Sequence, residues 1–402
     1  MIFLTVVSYI VFGILLLLFT HLLVNLLSFH RLRATTKGNT PSDPLVALLV
    51  PARNEEAHIE MCVRSLVGQH YERLEVLVLD DRSSDATASI VQGIIDALPP
   101  AHKGRLRLLH GEPLPPGWVG KNFACHQLSQ HAQGDYLFFT DADTVHAPET
   151  VRAVIDCMHG LDVDLLTAQS EYELKDIGER LIMPLLCFRV FTLLPLTLVS
   201  RRPEPVLAAG NGPLLCFHRL AYEAAGGHQA IKERILEDVS LARAVKTAGY
   251  RIAFVDALEM IYCHMYTSFT NTWVGFSKTF FAFYNYSLIG ALVIIILDLT
   301  LFVVPPLLLL VALFVPLPLT VILLALGSYG IAVLMRLLLA IRFTRSQKLL
   351  TLLLCFLHPA AIILGCLILL NSIRWHYRKL GTEWKGRYYP SQGIHHRKPE
   401  CY

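Results

Sequence analysis

The stretch Tyr136-Leu137-Phe138-Phe139-Thr140-Asp141-Ala142-Asp143 decides the fold. Its first four residues predict a short buried strand, and two carboxylates follow where that strand ends. Alternate residues leaving a strand can turn Asp141 and Asp143 toward one ion, and carboxylate oxygens suit Mg²⁺ or Mn²⁺. Because a lone Asp-x-Asp occurs in many loops, its meaning depends on the rest of the chain.

The sequence around this stretch alternates short β-branched runs with amphipathic runs, which is typical of βα units around a mostly parallel sheet. Predicted strands lie at 45–50, 74–80, 106–110, 136–140 and 164–168. In open α/β sheets, ligands bind at the carboxyl ends of the strands. The sequence therefore predicts an α/β domain over about residues 40–275, with its site at one edge of the sheet.

A second acidic pair, Asp80-Asp81, ends the second predicted strand and is followed by Arg82-Ser83-Ser84-Asp85. Two carboxylates at a strand end can form a socket for a base or a ribose. The same turn could equally be a plain helix N-cap, because small hydroxyls and carboxylates cap helices well. Both interpretations stay open from the sequence.

Three further features carry groups suited to a site. Glu237 and Asp238 begin an amphipathic helix, where the helix dipole favours carboxylates and a solvated helix start is the plain alternative. The turn Gly210-Asn211-Gly212-Pro213 would let backbone approach a ligand closely, or would form a structural hairpin. Lys121, in a loop with two glycines, can reach a phosphate or simply solvate the loop.

The composition requires part of the chain to lie in lipid, because 54% of its residues are hydrophobic and only 17% are charged. Residues 2–27 form an apolar run long enough to cross a bilayer, and we predict a membrane anchor over 1–28. A cleaved signal peptide would have a shorter apolar core and basic residues before it. Here Arg31, Arg33 and Lys37 follow the run, so the next domain is expected to be cytoplasmic.

Three more apolar runs, at 288–314, 317–340 and 349–370, predict transmembrane helices over 288–371, before a basic tail at 372–402. The basic loop at 341–348 is expected on the cytoplasmic side. A third span would then leave the basic residues of the tail outside, against the positive-inside rule; these are Arg374, Arg378, Lys379, Lys385 and Arg387. Either the last run is a re-entrant hairpin around Pro359 or the tail breaks the rule.

A further apolar run, at 181–199, is interrupted by Pro184, Arg189 and Pro195. These residues make it a poor span, and we predict a helix lying in the membrane interface, with a core helix as the alternative.

Charge and cysteine content exclude some classes of protein. The net charge of +3 is spread over both signs along the chain, so no basic face for nucleic acid is expected. The cysteines, nine in number, never form a C-x-x-C pair typical of zinc or redox sites, and we predict buried, reduced thiols.

In chain order, five motifs together resemble the family 2 glycosyltransferases with a GT-A fold, which is Rossmann-like with a mostly parallel sheet. They are Pro51-Ala52-Arg53-Asn54-Glu55-Glu56, Asp80-Asp81-Arg82-Ser83-Ser84-Asp85, Gly117-Trp118-Val119-Gly120-Lys121-Asn122, Asp141-Ala142-Asp143 and Glu237-Asp238. Within the family, the chain is most similar to the membrane enzymes of carotenoid and hopanoid glycosylation, and more distantly to ceramide glucosyltransferase. The resemblance covers about 46–278 and extends to Trp384-Lys385-Gly386-Arg387.

The resemblance implies roles for individual residues. Asp80 or Asp81 would hold the nucleobase and ribose, Asp143 would be the principal metal ligand, and Asp141 would support the metal and the sugar-phosphate. Asp238 would be the general base that an inverting transferase needs, with Glu237 beside it. The remaining residues expected to bind the donor are Pro51, Arg53, Glu55, Lys121, Gly210 and Asn211.

One departure from the family matters. The processive members and the ceramide enzyme carry a Q/R-x-x-R-W motif before the membrane bundle, and this sequence has none. In its place stands Trp273-Val274-Gly275-Phe276-Ser277-Lys278-Thr279, similar to the G-F-S-K segment of the carotenoid-type enzymes. Lys278 is therefore a candidate cation for the departing diphosphate, with an interfacial snorkelling lysine as the alternative.

Two charges fall inside the predicted spans. Arg336 lies about one turn from the cytoplasmic end and is expected to snorkel. Asp298 lies near mid-depth and would face either a polar acceptor or a neighbouring helix.

These features predict an inverting transferase that depends on Mg²⁺ or Mn²⁺ and rests on the cytoplasmic face of the cell membrane. It would move one sugar from a nucleotide-sugar, with UDP-hexose expected, to a membrane lipid or terpenoid. A processive polysaccharide synthase and an inactive membrane scaffold or transporter are the alternatives.

Overall fold

A computed structural model describes residues 1–33, 43–265, 268–344, 348–378, 382–384 and 387–389. Lys37, Lys379 and Lys385 lie outside the described residues. The strands are β1 Val46–Ala52, β2 Leu74–Asp80, β3 Leu106–His110, β4 Tyr136–Phe139, β5 Thr144–His146, β6 Leu165–Gln169, β7 Glu171–Tyr172, β8 Leu215–His218, β9 Ile252–Asp256, β10 Ile261–Cys263, β11 Thr382–Trp384 and β12 Arg387–Tyr389.

The helices of the first 250 residues are α1 Ile2–Ser28, α2 Ile59–Val67, α3 Thr87–Ala97, α4 Gly120–His131, α5 Thr150–Leu161, α6 Ile177–Leu193, α7 Leu196–Val199, α8 Arg219–Ala224, α9 Gly227–Ala230 and α10 Glu237–Thr247. The later helices are α11 Phe269–Phe283, α12 Leu288–Asp298, α13 Val304–Val311, α14 Leu319–Phe343, α15 Lys348–Leu354 and α16 His358–Tyr377.

The central sheet has the strand order β3-β2-β1-β4-β8-β6-β9. All neighbouring strands are parallel except β8, which is antiparallel to both β4 and β6. Every residue of β1 is buried, so this strand is apolar on both faces, as strands inside covered parallel sheets are. The predicted mostly parallel α/β fold is confirmed, whereas the antiparallel β8 was not anticipated.

The two faces of the sheet face different partners. Leu48, Val76 and Phe138 lie in one hydrophobic cluster with residues of α2, α3 and α5. Leu49 and Leu77 point to the opposite face and belong to a cluster that continues into α1, α6 and α14. One continuous core therefore joins the sheet to the apolar helices, which fixes the site relative to the membrane part.

Helix α1 packs against the rest of the chain through specific contacts. Its Asn25 is fully buried and donates hydrogen bonds to the carbonyls of Phe191 and Leu194, both 2.8 Å away. The Asn25 side-chain oxygen accepts from the Leu196 amide at 3.0 Å. The Phe29 ring, just past α1, packs edge-on against Phe191 at 5.0 Å. These contacts tie the end of α1 to the end of α6.

Helix α6 covers most of the run predicted to lie in the membrane interface. It begins with a capping box in which Asp176 and Glu179 each bond the other's backbone N–H. The helix continues through Pro184 and ends before Pro195, which cannot supply an N–H to extend it. Its first residue closely follows β7 and its last turn contacts α1, so both ends lie beside the α/β domain.

Among the described residues, the segments long and apolar enough to cross a membrane are Ile2–Ser28, Leu288–Val311, Leu319–Phe343 and Lys348–Tyr377. These segments match the four apolar helical segments predicted from the sequence. The second segment contains a π-helical turn, Leu299–Val303, directly before the helix that holds Pro305. Such a turn is a common way to accommodate a proline within a long helix.

Both ends of the last segment are bordered by specific contacts. Just before it, Arg342 forms an ion pair with Asp256 at the end of β9. At its other end, His376 stacks on Tyr286 at 4.6 Å, and Tyr286 immediately precedes the residue that caps α12. A 3₁₀ turn, Cys355–Leu357, separates α15 from α16.

The two charges in the predicted spans are both buried. Arg336 is only 3% exposed and donates to the Leu181 carbonyl of α6 at 2.7 Å, so the expectation that it snorkels was wrong. Helix α6 covers that face of α14, which a single-helix argument could not reveal. Asp298 pairs with Arg189 of α6. It therefore faces a neighbouring helix, which was one of the two alternatives drawn from the sequence.

Candidate active site

Three predicted residues from three different elements meet beyond the carboxyl end of β4. The Lys121 Nζ lies 2.5 Å from Asp141 Oδ1 and 2.6 Å from Glu237 Oε1. Lys121 stands in the first turn of α4, Asp141 closely follows β4, and Glu237 begins α10. Burial alone would lower the pKa of Lys121, but the Asp141 and Glu237 carboxylates raise it well above its ordinary value. The site therefore holds a permanent cation between two anions.

Asp238 is the next residue along α10 and is partly buried. Its Oδ1 accepts the backbone N–H of Val239 at 2.7 Å. Burial, together with the neighbouring Glu237 carboxylate, raises the pKa of Asp238 to about 7. A carboxylate with a pKa near neutrality can both accept and release a proton under ordinary conditions, as a general base must.

The Gly210-Asn211-Gly212 turn lies directly against the Asp141 carboxylate and the main chain of Asp238. A Cβ on Gly212 would come within 2.6 Å of Asp141 Oδ2, and one on Gly210 within 2.4 Å of the Asp238 carbonyl. Asn211 anchors the turn, because its amide donates to the Ala168 carbonyl at 2.7 Å. Glycines are therefore needed here because a Cβ would collide with these protein atoms. Close approach of this turn to a ligand stays a prediction.

Asp143, two residues after Asp141, lies against residues at the end of β10. Its main-chain carbonyl accepts from the His264 amide at 2.9 Å, and its Oδ1 lies 3.5 Å from Thr144 Oγ1 and 3.8 Å from Cys263 Sγ. Burial, and after it the Asp143 and Asp141 carboxylates, raise the pKa of the Cys263 thiol well above its ordinary value. The negative potential of the pair therefore extends into the buried wall of the site.

The donor set fits a divalent cation shared with a ligand. Carboxylate oxygens suit Mg²⁺ and Mn²⁺, and Mg²⁺ commonly binds through one or two carboxylates plus substrate phosphates. Within the part of the chain that the structure describes, no group of three His, Cys, Asp or Glu side chains is arranged to hold a metal. Asp141 and Asp143 would therefore supply only part of a coordination shell, and a diphosphate and water would supply the rest.

The loops after β1 and β2 interlock. Arg53 donates to the carbonyls of Asp81 and Arg82, at 2.5 and 3.0 Å. Asn54 and Arg82 both adopt left-handed backbone conformations, with φ of 50° and 57°. The Ser84 amide donates to Asn54 Oδ1 at 2.9 Å, which links the two turns. Arg53 thus holds the shape of the loop that carries the acidic pair.

The acidic pair itself is buried, with Asp80 at the end of β2 and Asp81 just beyond it. Glu55, from the loop after β1, is also buried. Just before α3, Asp85 Oδ1 accepts the Thr87 amide at 3.0 Å. The residue at the N-cap of α3 is Ala86, so neither Asp80 nor Asp81 caps this helix. The nucleobase role of Asp80 or Asp81 stays a prediction.

The pocket around Lys121 is lined by four of the predicted residues, Pro51, Lys121, Asp141 and Glu237, together with Gly212 of the glycine turn. Lys278 is half-buried on α11, which packs along α6 and α16 in the apolar part. Its predicted contact with a departing diphosphate stays a prediction.

Sequence reasoning missed a polar pair beside Asp143. His264 Nδ1 lies 2.6 Å from Glu173 Oε2, and the His264 ring stacks on His58 at 5.8 Å. Glu173 follows β7 and His264 follows β10, two strands too short to predict. Their position after strand ends was the only available signal.

Residues 47–189 match the family model described as Glycosyl transferase family 2, and this segment is a glycosyltransferase family 2 domain. The chain is 26% identical over 250 residues to a 4,4'-diaponeurosporenoate glycosyltransferase of Staphylococcus aureus (strain MRSA252), covering 59% of this chain and 60% of that protein. It is 24% identical over 256 residues to the protein of the same name from Staphylococcus haemolyticus (strain JCSC1435), covering 63% and 64%. The matches thus span less than two thirds of these relatives.

A solved mannosyltransferase from Pyrobaculum calidifontis, in complex with GDP-Man and Mn²⁺, aligns with a TM-score of 0.55 at 19% identity. The alignment covers 91% of this chain and 99% of that one. At this identity the likeness concerns the fold, which is the GT-A fold with apolar helices attached.

Proposed function

We propose that this chain is a membrane-bound glycosyltransferase that moves one sugar from a nucleotide-sugar, of the UDP-hexose type, to a hydroxyl or carboxyl of a membrane lipid or terpenoid. The observation that carries the proposal is the convergence of Lys121, Asp141 and Glu237, with Asp238 beside them, at the carboxyl edge of the sheet. The name of the staphylococcal relatives supports an apolar acceptor.

The donor diphosphate would bind at Asp141 and Asp143 together with Mg²⁺ or Mn²⁺. When bound, the cation would neutralise charge that develops on the departing diphosphate. Lys121 adds a second positive charge next to Asp141, and backbone N–H groups at the start of α4 favour an anion there. The Mn²⁺ and GDP-Man in the Pyrobaculum mannosyltransferase support this arrangement.

Asp238 would act on the acceptor. As a hydroxyl proton passes to the Asp238 carboxylate, the acceptor oxygen bonds to the anomeric carbon opposite the diphosphate, and the bond from that carbon to the diphosphate breaks. The product is the inverted glycoside. A carboxylic acceptor is already ionised at neutral pH, so its transfer would need no base.

The membrane part would bring the acceptor to this site. Arg31 and Arg33 directly after α1 support a domain on the cytoplasmic face of the cell membrane. Just before the α15–α16 segment, Arg342 pairs with Asp256 of the domain, and at the other end His376 stacks on Tyr286, which lies within electrostatic reach of Arg234 of the domain. These contacts support a re-entrant hairpin. Arg374 and Arg378 would then lie on the same side as the domain, in agreement with the positive-inside rule.

The test is to incubate membranes containing the chain with labelled UDP-sugars, Mn²⁺ and extracted lipids. We expect label in single-sugar lipids, identified by mass spectrometry. Label in a polymer would contradict single transfer, and no label with any donor or lipid would favour a scaffold or transporter. Undiminished transfer to lipid hydroxyls by Asp238→Asn would overturn the base assignment.

A further inference from the structure

A second cavity, of about 610 Å³, lies where the α/β domain meets the apolar helices. Its volume is within the range of small-molecule sites, roughly 300–1,000 Å³. Its walls are apolar and come from four helices: Ile177, Gly178 and Leu181 of α6, Phe269 of α11, Leu350 of α15 and Leu364 of α16. Two of these helices belong to the last apolar segment, so the cavity opens between membrane helices and the domain.

A short chain of contacts joins this cavity to Asp143. The Asp143 carbonyl accepts from the His264 amide, His264 Nδ1 lies 2.6 Å from Glu173 Oε2, and the same Glu173 oxygen lies 3.6 Å from Lys175 Nζ. Lys175 and the neighbouring Asp176 line the cavity. The polar residues of the cavity are therefore linked to the candidate active site through Glu173 and His264.

The walls are well supported. A Cβ on Gly178 would lie 2.3 Å from the Phe269 ring, so α6 and α11 are in direct contact at the cavity edge. Ile182 and Ile368 are fully buried behind the walls, in a cluster that includes Phe276. The opening is thus bordered by a close-packed core and is not a gap left by loose helices.

We propose that this cavity receives the apolar chain of the acceptor lipid, with the polar end of that lipid directed toward Asp143 and Asp238. The inference rests on the proposed transferase function and adds where the acceptor is held. An acceptor in this position would keep its hydrocarbon away from water while its reactive oxygen reaches the domain. Lys175 at the rim suits a carboxyl or hydroxyl group passing toward the site.

The test fills the cavity from two sides with Leu350→Trp and Leu364→Trp. Leu349→Trp and Leu367→Trp are matched controls, because these leucines lie on the same helices but point outward. Purified variants in detergent receive labelled donor and one of three isoprenoid alcohols: geraniol, farnesol or geranylgeraniol. Donor affinity is measured separately by calorimetry with UDP and Mn²⁺.

Because each buried methylene contributes to binding, we expect the KM for geranylgeraniol to rise about tenfold or more in the two cavity variants. The KM for geraniol and the affinity for UDP should stay within about twofold of the starting protein, as should all values in the controls. Equal losses for all three alcohols, or equal losses in the controls, would overturn the proposal.

Failure of the proposed function itself would look different, because the unaltered protein would then transfer sugar to none of the alcohols. The cavity is tested in that case with hexadecanoic acid bearing a diazirine. Photo-cross-linking that is lost in Leu364→Trp and kept in Leu367→Trp supports the cavity as a site for an apolar chain. Cross-linking unchanged in both variants contradicts it.

Discussion

At the scale of single residues, Lys121 is the group on which the candidate site depends. It separates Asp141 from Glu237, and both carboxylates would face each other without it. Lys121→Met should weaken UDP binding by roughly 10- to 100-fold, since hydrogen bonds to charged groups contribute about 1.5–3 kcal/mol. Calorimetry with UDP and Mn²⁺ measures this, with Lys103→Met on the exposed surface as the control. Unchanged affinity would remove Lys121 from the donor site.

The raised pKa of Asp238 predicts how the rate of sugar transfer depends on pH. Because burial and Glu237 raise its pKa to about 7, transfer to lipid hydroxyls should rise as pH increases through about 7 and then level off. Asp238→Asn should lower this transfer by about 10²–10⁴-fold and abolish the rise. Transfer to a carboxylic lipid should be affected far less. A pH profile that is the same in Asp238→Asn and the unaltered protein would contradict the role.

The raised pKa of Asp238 also predicts how the free energy of unfolding changes with pH. Folding raises the pKa of Asp238 from 3.8 to about 7, so the folded state holds a proton that the unfolded chain has released between these values. The stability contributed by this group is therefore present at low pH and falls as pH rises between about 4 and 7. Asp238→Asn should melt at the same or a higher temperature than the unaltered protein at pH 8, as measured by thermal unfolding in detergent. A clear loss of stability there would indicate a structural role.

Sequence reasoning located the principal acidic residues because strand ends are predictable from apolar runs. Asp141 and Asp80 were found in this way. It could not find the hydrogen-bonded pair of Glu173 and His264, because that pair joins residues 91 positions apart through two very short strands. Nor could it find the burial of Arg336, which depends on where α6 packs.

At the scale of elements, the glycine turn before β8 determines how close the backbone comes to Asp141. Gly212→Ala would place a Cβ 2.6 Å from Asp141 Oδ2 and displace that carboxylate. We expect the Mn²⁺ concentration for half-maximal transfer to rise by about tenfold, as for loss of ligand positioning at metal sites. Gly93→Ala is the control, because its Cβ would meet no atom within 4 Å. An unaltered Mn²⁺ requirement would show that the turn does not position the metal ligand.

The end of α1 should be a structural element as well as an anchor. Asn25→Leu removes hydrogen bonds to the carbonyls of Phe191 and Leu194 and leaves the Leu196 amide without its acceptor. We expect a loss of about 1–3 kcal/mol in the free energy of unfolding for buried groups left unsatisfied. Denaturation in detergent checks this against Thr20→Ala, whose hydroxyl bonds only within its own helix. Equal stability in both variants would mean that α1 and α6 are not coupled.

Five strands of the central sheet were predicted to within two residues, because each is an apolar run bounded by polar turns; they are β1, β2, β3, β4 and β6. Strands β8 and β9 were not predicted. The antiparallel direction of β8 depends on the path of a connection that includes α6 and α7. The four apolar segments were predicted from their length and composition. The contact between His376, at the end of the last segment, and Tyr286 could not be predicted, because it depends on how the helices pack.

At the scale of the whole molecule, one core joins the sheet to the membrane helices, so the topology of the chain is a physical prediction. Cysteines introduced by Arg33→Cys and Arg374→Cys should react with a membrane-impermeant maleimide from the same side of sealed vesicles. Phe314→Cys, in the loop between α13 and α14, should react from the other side. If Arg374→Cys reacted from the same side as Phe314→Cys, the last apolar segment would cross the membrane and the re-entrant proposal would be wrong.

The most direct test of the central claim is mass spectrometry of lipids after incubation of the purified chain in vesicles with UDP-sugars. We predict a lipid carrying a single sugar, which forms with Mn²⁺, disappears with EDTA and returns when Mn²⁺ is added back. Asp143→Asn should lower its yield by at least about 100-fold, within the range seen when groups that stabilise a transition state are removed. Asp96→Asn, on the exposed surface, should not. Sugar transfer that persists in EDTA, or in Asp143→Asn at the yield of the unaltered protein, would contradict a metal-assisted transferase at this site.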